Sequence, residues 1–181
     1  MNKIYLFLAD GFETVEALAP VDVMRRAGLN VITVSVMGRK GVVSSHNVTV
    51  EADALLADCD FTDADALVLP GGLVGTDNLS ACEPLCKELA RMNNENKLIA
   101  AICAAPTLFG RMGLLAGRKA TCYPGCEAAL TGAEYTAAKV QQDGNIITGC
   151  GPGASFDFGF AIIEYFCGEE IVATLRSQMQ F

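Results

Sequence analysis

Cys103 ends the apolar run Leu98-Ile99-Ala100-Ala101-Ile102 and is followed at once by Ala104-Ala105-Pro106. This spacing predicts a strand that passes into a helix with no loop between them, because proline suits the first helical turn, where its missing N–H costs nothing. A side chain on such a turn is held in a strained, exposed pose, and the start of a helix stabilises a thiolate and lowers its pKa. The expected chemistry is attack by sulfur on an electrophile. The bland alternative for any single cysteine is a small buried hydrophobe. Position at the turn favours chemistry, and small neighbours on both sides leave room for a substrate.

Two further signals accompany it. Gly71-Gly72 follows Leu69-Pro70; glycines let backbone approach a ligand closely, and free N–H groups there could face an oxyanion. Glu13 and Glu16 open what reads as the first helix, where acidic side chains are favoured by the dipole in any case. Glu16 is expected on an apolar face with Val15, Ala19 and Val23, where a carboxyl could stay protonated and donate a hydrogen bond to sulfur. A solvated partner of the helix end is the alternative, and spacing alone does not choose between them.

The elements that must position these residues alternate along the chain. Short apolar runs predict strands over Ile4–Ala9, Val31–Val36, Ala66–Leu69, Leu98–Ile102, Ala120–Cys122 and Ile146–Thr148. Helical patterns lie over Thr14–Ala27, Cys82–Asn93, Pro106–Met112, Ala154–Cys167 and Glu169–Gln178, with Gly28, Gly113 and Gly168 where helix caps are expected. This βαβ rhythm predicts a single α/β domain over residues 1–181 with a mainly parallel sheet and helices on both faces. Val42–Ser45 and Val48–Glu51 flank His46-Asn47 and read as a hairpin added to the main sheet. Ligands of such sheets bind beyond the carboxyl ends of the strands. That edge would gather Glu13, Gly72, Cys103, Ala104 and Tyr123, with Cys122 and Cys150 nearby as thiols able to resolve an oxidised Cys103.

Composition narrows the function classes. The chain has 181 residues, a net charge of −8 and no visible basic patch, which disfavours nucleic-acid binding. No apolar run approaches the roughly 18–20 residues that span a bilayer, and the opening Ile4–Ala9 run is too short for a secretion signal. Eight cysteines without a signal segment point to a reducing cytoplasm and free thiols. Metal binding is not expected, since Cys82 and Cys86 fit one helix face and the chain has a single histidine.

Four blocks in order, DGFETVEALAPVDVMRRAG (Asp10–Gly28), ALVLPGG (Ala66–Gly72), LIAAICAAPTLFG (Leu98–Gly110) and GPGASFDFGFAIIE (Gly151–Glu164), together resemble the ThiJ/PfpI superfamily, and within it the branch of the parkinsonism-associated protein deglycase. The resemblance implies a flavodoxin-like sandwich that pairs as a homodimer. It places a nucleophilic, oxidisable cysteine at Cys103, its protonated carboxyl partner at Glu16, and oxyanion-type amides at Gly72 and Ala104. It implies a cofactor-free glyoxalase or deglycase acting on small carbonyl compounds, 2-oxoaldehydes such as methylglyoxal or their adducts, in defence against oxidative and carbonyl stress. A redox-sensing or chaperone-like protein whose Cys103 oxidises to sulfinate is the alternative.

Two departures stand out. Tyr123 occupies a position where the deglycase has a histidine, which removes a candidate proton shuttle. A peptidase or amidase needs a Cys-His pair, yet Cys103 is followed by Ala104 and the only histidine is His46. The hairpin position of His46 resembles a basic site near the dimer interface, where it would help Arg26 attract anions; a loop histidine without a catalytic role is the alternative.

Overall fold

The computed structural model describes residues 2–181. Continuous apolar runs with β-branched residues form the central strands because both of their faces are covered. These are β1 (Lys3–Leu8), β2 (Asn30–Ser35), β6 (Ala66–Leu69), β7 (Leu98–Ile102) and β11 (Ile146–Gly149). Edge strands β5 (Ala54–Leu55) and β10 (Val140–Asp143) complete a seven-stranded sheet of order β10-β11-β7-β6-β1-β2-β5. All neighbours are parallel except β10 against β11. This is the mainly parallel α/β fold that the βαβ rhythm predicts, and the flavodoxin-like sandwich that the family resemblance implies.

Strand alternation sends side chains to two cores. Ile4, Leu6, Val68, Ala100 and Ile102 pack beneath α1 (Thr14–Arg26), α5 (Ser155–Cys167) and α6 (Glu169–Gln178). Tyr5, Phe7, Leu67, Leu69 and Ile99 face the other way, onto α2 (Leu73–Ser80), α3 (Glu83–Asn94) and α4 (Pro106–Arg111). No helix among the described residues is long and apolar enough to cross a membrane.

Three sequence expectations change. The hairpin forms, with β3 (Gly41–Val43) antiparallel to β4 (Thr49–Glu51), but as a separate two-stranded sheet rather than an addition to the main one. The expected strand Ala120–Cys122 is only β8 (Lys119–Ala120), paired with β9 (Glu134–Tyr135) away from the main sheet. Finally, α2 has no counterpart in the sequence reading, because its Leu73 and Val74 are exposed and give no amphipathic stripe.

The chain runs from β1 to β2 on one side, and β6 and β7 then lie on the other side of β1. Strand order therefore reverses between β1 and β6, and a crevice opens beyond their carboxyl ends. The Asp10–Glu13 segment, Pro70–Gly72 and Cys103 all leave strands at that edge.

Candidate active site

Cys103 directly follows β7 and adopts φ 66°, a left-handed conformation that is strained for a residue with a side chain. Its backbone is tied down on both sides. The N–H donates to the Gly149 carbonyl at 2.8 Å, and the Cys103 carbonyl accepts from the Tyr123 N–H at 2.8 Å. The side chain is held in a fixed direction and is 8% exposed. Helix α4 is only six residues long, so its dipole contributes less than the sequence suggests.

Glu16 is wholly buried. Glu13 is the N-cap of α1, and its Oε2 accepts the Glu16 N–H at 2.8 Å, which fixes the first helical turn. Of the expected apolar face, Ala19 and Val23 are buried with Glu16, whereas Val15 lies about 100° around the helix and is 45% exposed. Oε2 of Glu16 accepts the Gly71 N–H at 2.9 Å. Oε1 is buried with no donor directed at it.

The Glu16 carboxyl and Cys103 converge on Gly71, where an added Cβ would lie 2.6 Å from both Glu16 Oε2 and the Cys103 Cβ. The carboxyl and the backbone N–H groups of Gly72 and Ala104 all influence the thiol's titration. Gly72 has φ 87°, and a Cβ there would run into the Gly11 carbonyl oxygen and lie 2.9 Å from the Glu13 nitrogen. Only glycine lets the two loops close over the site.

Burial first, then the Glu13 charge, raise Glu16 to about 7, against the hydrogen bonds from Cys103 and Gly71. Burial and the neighbouring Glu16 charge push the Cys103 thiol up to about 12, while the Gly72 and Ala104 amides pull it down. The helix start alone therefore does not set the thiol, because burial and the neighbouring carboxyl oppose it. The two groups titrate as a pair, losing one proton near 7 and holding the other to about 12.

The remaining predicted residues fall as follows. Tyr123 contributes its backbone N–H to the Cys103 turn, but its ring is 48% exposed and lies against Gly151. His46 stands on the hairpin, with Nδ1 3.9 Å from Glu13 Oε1. Arg26 is the last residue of α1 and pairs with Asp22 at 2.7 Å. Arg26 and His46 therefore sit near opposite ends of a helix about 20 Å long, so one chain does not join them in a shared anion site. All eight cysteines are free, and burial pushes the Cys122 thiol up to about 12. Among the described residues, no three of His, Cys, Asp and Glu converge as metal ligands.

Gly71 and Gly149 were not singled out as partners of the pair. The Gly-Gly signal could have found the first; the second depends on strand pairing.

A parallel α/β sandwich with a buried thiol–carboxyl pair at its switch point defines the class. The chain belongs to the DJ-1/PfpI family, whose model matches residues 2–165. It is 39% identical over 183 residues to Parkinson disease protein 7 homolog of Danio rerio, covering 98% of this chain and 96% of that one. It is 40% identical over 171 residues to Protein DJ-1 homolog B of Arabidopsis thaliana, covering 93% of this chain but only 39% of that relative's length. A deglycase of Pyrococcus abyssi is 31% identical over 154 residues, 83% of this chain and 91% of that one. The solved structure of oxidized Toxoplasma gondii DJ-1 superposes with a TM-score of 0.96 at 30% identity, covering 100% of this chain and 99% of that one.

Proposed function

We propose that this protein is a cysteine-dependent glyoxalase/deglycase-type enzyme acting on 2-oxoaldehydes such as methylglyoxal, or on their adducts with thiols and amines. The observation that carries the reading is the Cys103–Glu16 pair, enclosed by two backbone amides at the switch point. The deglycase among its relatives supports the same class. A cytoplasmic homodimer in carbonyl and oxidative stress defence is the setting we assign to it.

After the pair's first proton is lost, the form with the second proton on Glu16 Oε1 and the charge on sulfur best satisfies the buried groups. Two amides then face an anion, and Oε1 becomes a donor. The reverse form leaves a buried carboxylate oxygen to a weak S–H donor and aims the amides at neutral sulfur.

The thiolate adds to the aldehyde carbon, forming the C–S bond, and the carbonyl pair moves to oxygen. That oxygen takes the Glu16 proton, giving a hemithioacetal. The Gly72 and Ala104 amides stabilise the oxygen charge as it develops. The Glu16 carboxylate then removes the C1 proton and returns it at C2 through an enediol. The aldehyde carbon is oxidised to a thioester as the ketone carbon is reduced, so electrons balance within the substrate. Water cleaves the thioester to a 2-hydroxy acid and restores the thiol.

The test is conversion of methylglyoxal to lactate by the wild type and Cys103→Ser. Turnover that disappears in the variant is expected. A wild type without turnover overturns the reading and favours the second one, a redox sensor. The two amides and Glu16 are equally suited to hold sulfinate oxygens, formed when a peroxide delivers two oxygens in successive steps. A peptidase is disfavoured, since the chain's one histidine, His46, stands on the hairpin beside Glu13 and has no Cys-His pairing with Cys103 in the sequence.

A further inference from the structure

Beside the pair lies a cleft of about 280 Å³ between α2 and α4. Leu73 and Ala104 form part of its lining, and each is one residue beyond an element of the site: Leu73 follows Gly72, and Ala104 follows Cys103. Cys103 itself is not in the lining, so the cleft adjoins the site through Leu73 and Ala104. It is roomy for a single amino acid and small beside the roughly 300–1,000 Å³ of drug-sized sites.

Two charged side chains of opposite sign, both exposed, line it. Arg111, the last residue of α4, and Asp77, on α2, both line it, yet they are not paired with each other. Among the described residues neither has an ion-pair partner. The Arg111 Nη2 donates to Ser80 Oγ at 2.8 Å, which steadies the guanidinium and leaves the rest of its donor fork free. Thr76, also in the lining, has a buried hydroxyl with no hydrogen-bond partner. A simple anion would suit Arg111 but meet Asp77, and a simple cation would meet the reverse conflict. A ligand carrying both charges satisfies both walls.

We propose that this cleft is a subsite for the zwitterionic end of an amino acid, with Arg111 taking the α-carboxylate and Asp77 the α-ammonium. The inference rests on the enzymatic reading above and deepens it. The preferred substrate is an adduct of a 2-oxoaldehyde with a free amino acid, whose side-chain atom is bonded to the carbonyl-derived carbon. The amino-acid portion occupies the cleft while the carbon skeleton from the oxoaldehyde reaches Cys103. Adducts within a peptide chain, where both charges are lost to amide bonds, gain nothing from the two walls.

The test is calorimetric binding of S-(2-hydroxypropyl)-L-cysteine, a stable thioether with a free zwitterionic end, to the wild type and to Cys103→Ser. Both should bind it. Arg111→Gln and Asp77→Asn should each weaken binding about tenfold or more, as expected for loss of one charge-assisted hydrogen bond. N-acetylation or amidation of the probe should do the same on wild-type protein. Absence of binding at millimolar probe, or affinity indifferent to these changes, overturns the subsite. Failure of the two proposals is separable. Methylglyoxal turnover without charge-dependent binding sinks the subsite alone, whereas charge-dependent binding without turnover sinks the enzymatic reading and leaves the subsite standing.

Discussion

Gly71 donates its backbone N–H to Oε2 of Glu16 at 2.9 Å, and a Cβ added at Gly71 would lie 2.6 Å from that same oxygen. The same Cβ would be 2.6 Å from the Cβ of Cys103. The carboxyl and the cysteine therefore converge on a point that only a missing side chain keeps open.

Gly71→Ala should wedge the pair apart. Overpacking of this kind costs about 1–3 kcal/mol, and turnover should fall at least tenfold. Urea unfolding and steady-state kinetics measure both. A variant with wild-type turnover would show that the close contact is irrelevant to catalysis.

Stability should fall as pH rises through neutrality. Burial of the carboxyl holds the first proton of the Cys103–Glu16 pair to about 7, against 4.5 for a free Glu16, so the fold prefers the uncharged pair. That contribution is complete below the unfolded value of 4.5 and is lost as pH climbs through about 7. The difference amounts to about 3 kcal/mol. Glu16→Gln should flatten this slope in denaturant titrations between pH 5 and pH 8. An unchanged slope would assign the dependence to another group.

Iodoacetamide labelling of Cys103, followed by peptide mass spectrometry across pH, reports where the pair keeps its second proton. Reactivity rising through about pH 7 is expected, because the sulfur then carries the charge. Glu16→Leu should shift the rise upward, and Glu16→Gln, which retains a donor, should shift it less. Labelling that begins only toward pH 12 would place the first negative charge on the carboxyl. Faster labelling of Cys122 or Cys150 than of Cys103 would overturn the site assignment.

Sedimentation at micromolar concentration should show a homodimer. Val15 on α1 and Val43 and Val48 of the hairpin region expose apolar surface that self-association would cover. Val15→Lys should shift the protein toward monomer. A monomeric wild type at that concentration contradicts the assignment.

The strand-to-helix turn was legible because its signal is local: an apolar run, a cysteine and a proline with no residues to spare. The glycine pair was legible for the same reason. The polar edge strand Val140–Asp143 was not, since its main-chain pairing with β11 defines it and its side chains do not alternate between core and water. Spacing also does not show that the length of α1 separates Arg26 from His46 within one chain.

Residue types and spacing alone determined that this is a two-faced parallel α/β protein with Cys103 at a turn beyond a central strand. They left Glu16 balanced between a solvated helix end and a buried proton donor. Tertiary structure decided its burial, because only the meeting of β1, β6 and β7 excludes water from the carboxyl and brings Gly71 against it. It also set the surroundings of the thiol. A cysteine at a helix start suggests a low pKa, but desolvation and a neighbouring carboxyl act across elements distant in the chain and push the thiol the other way.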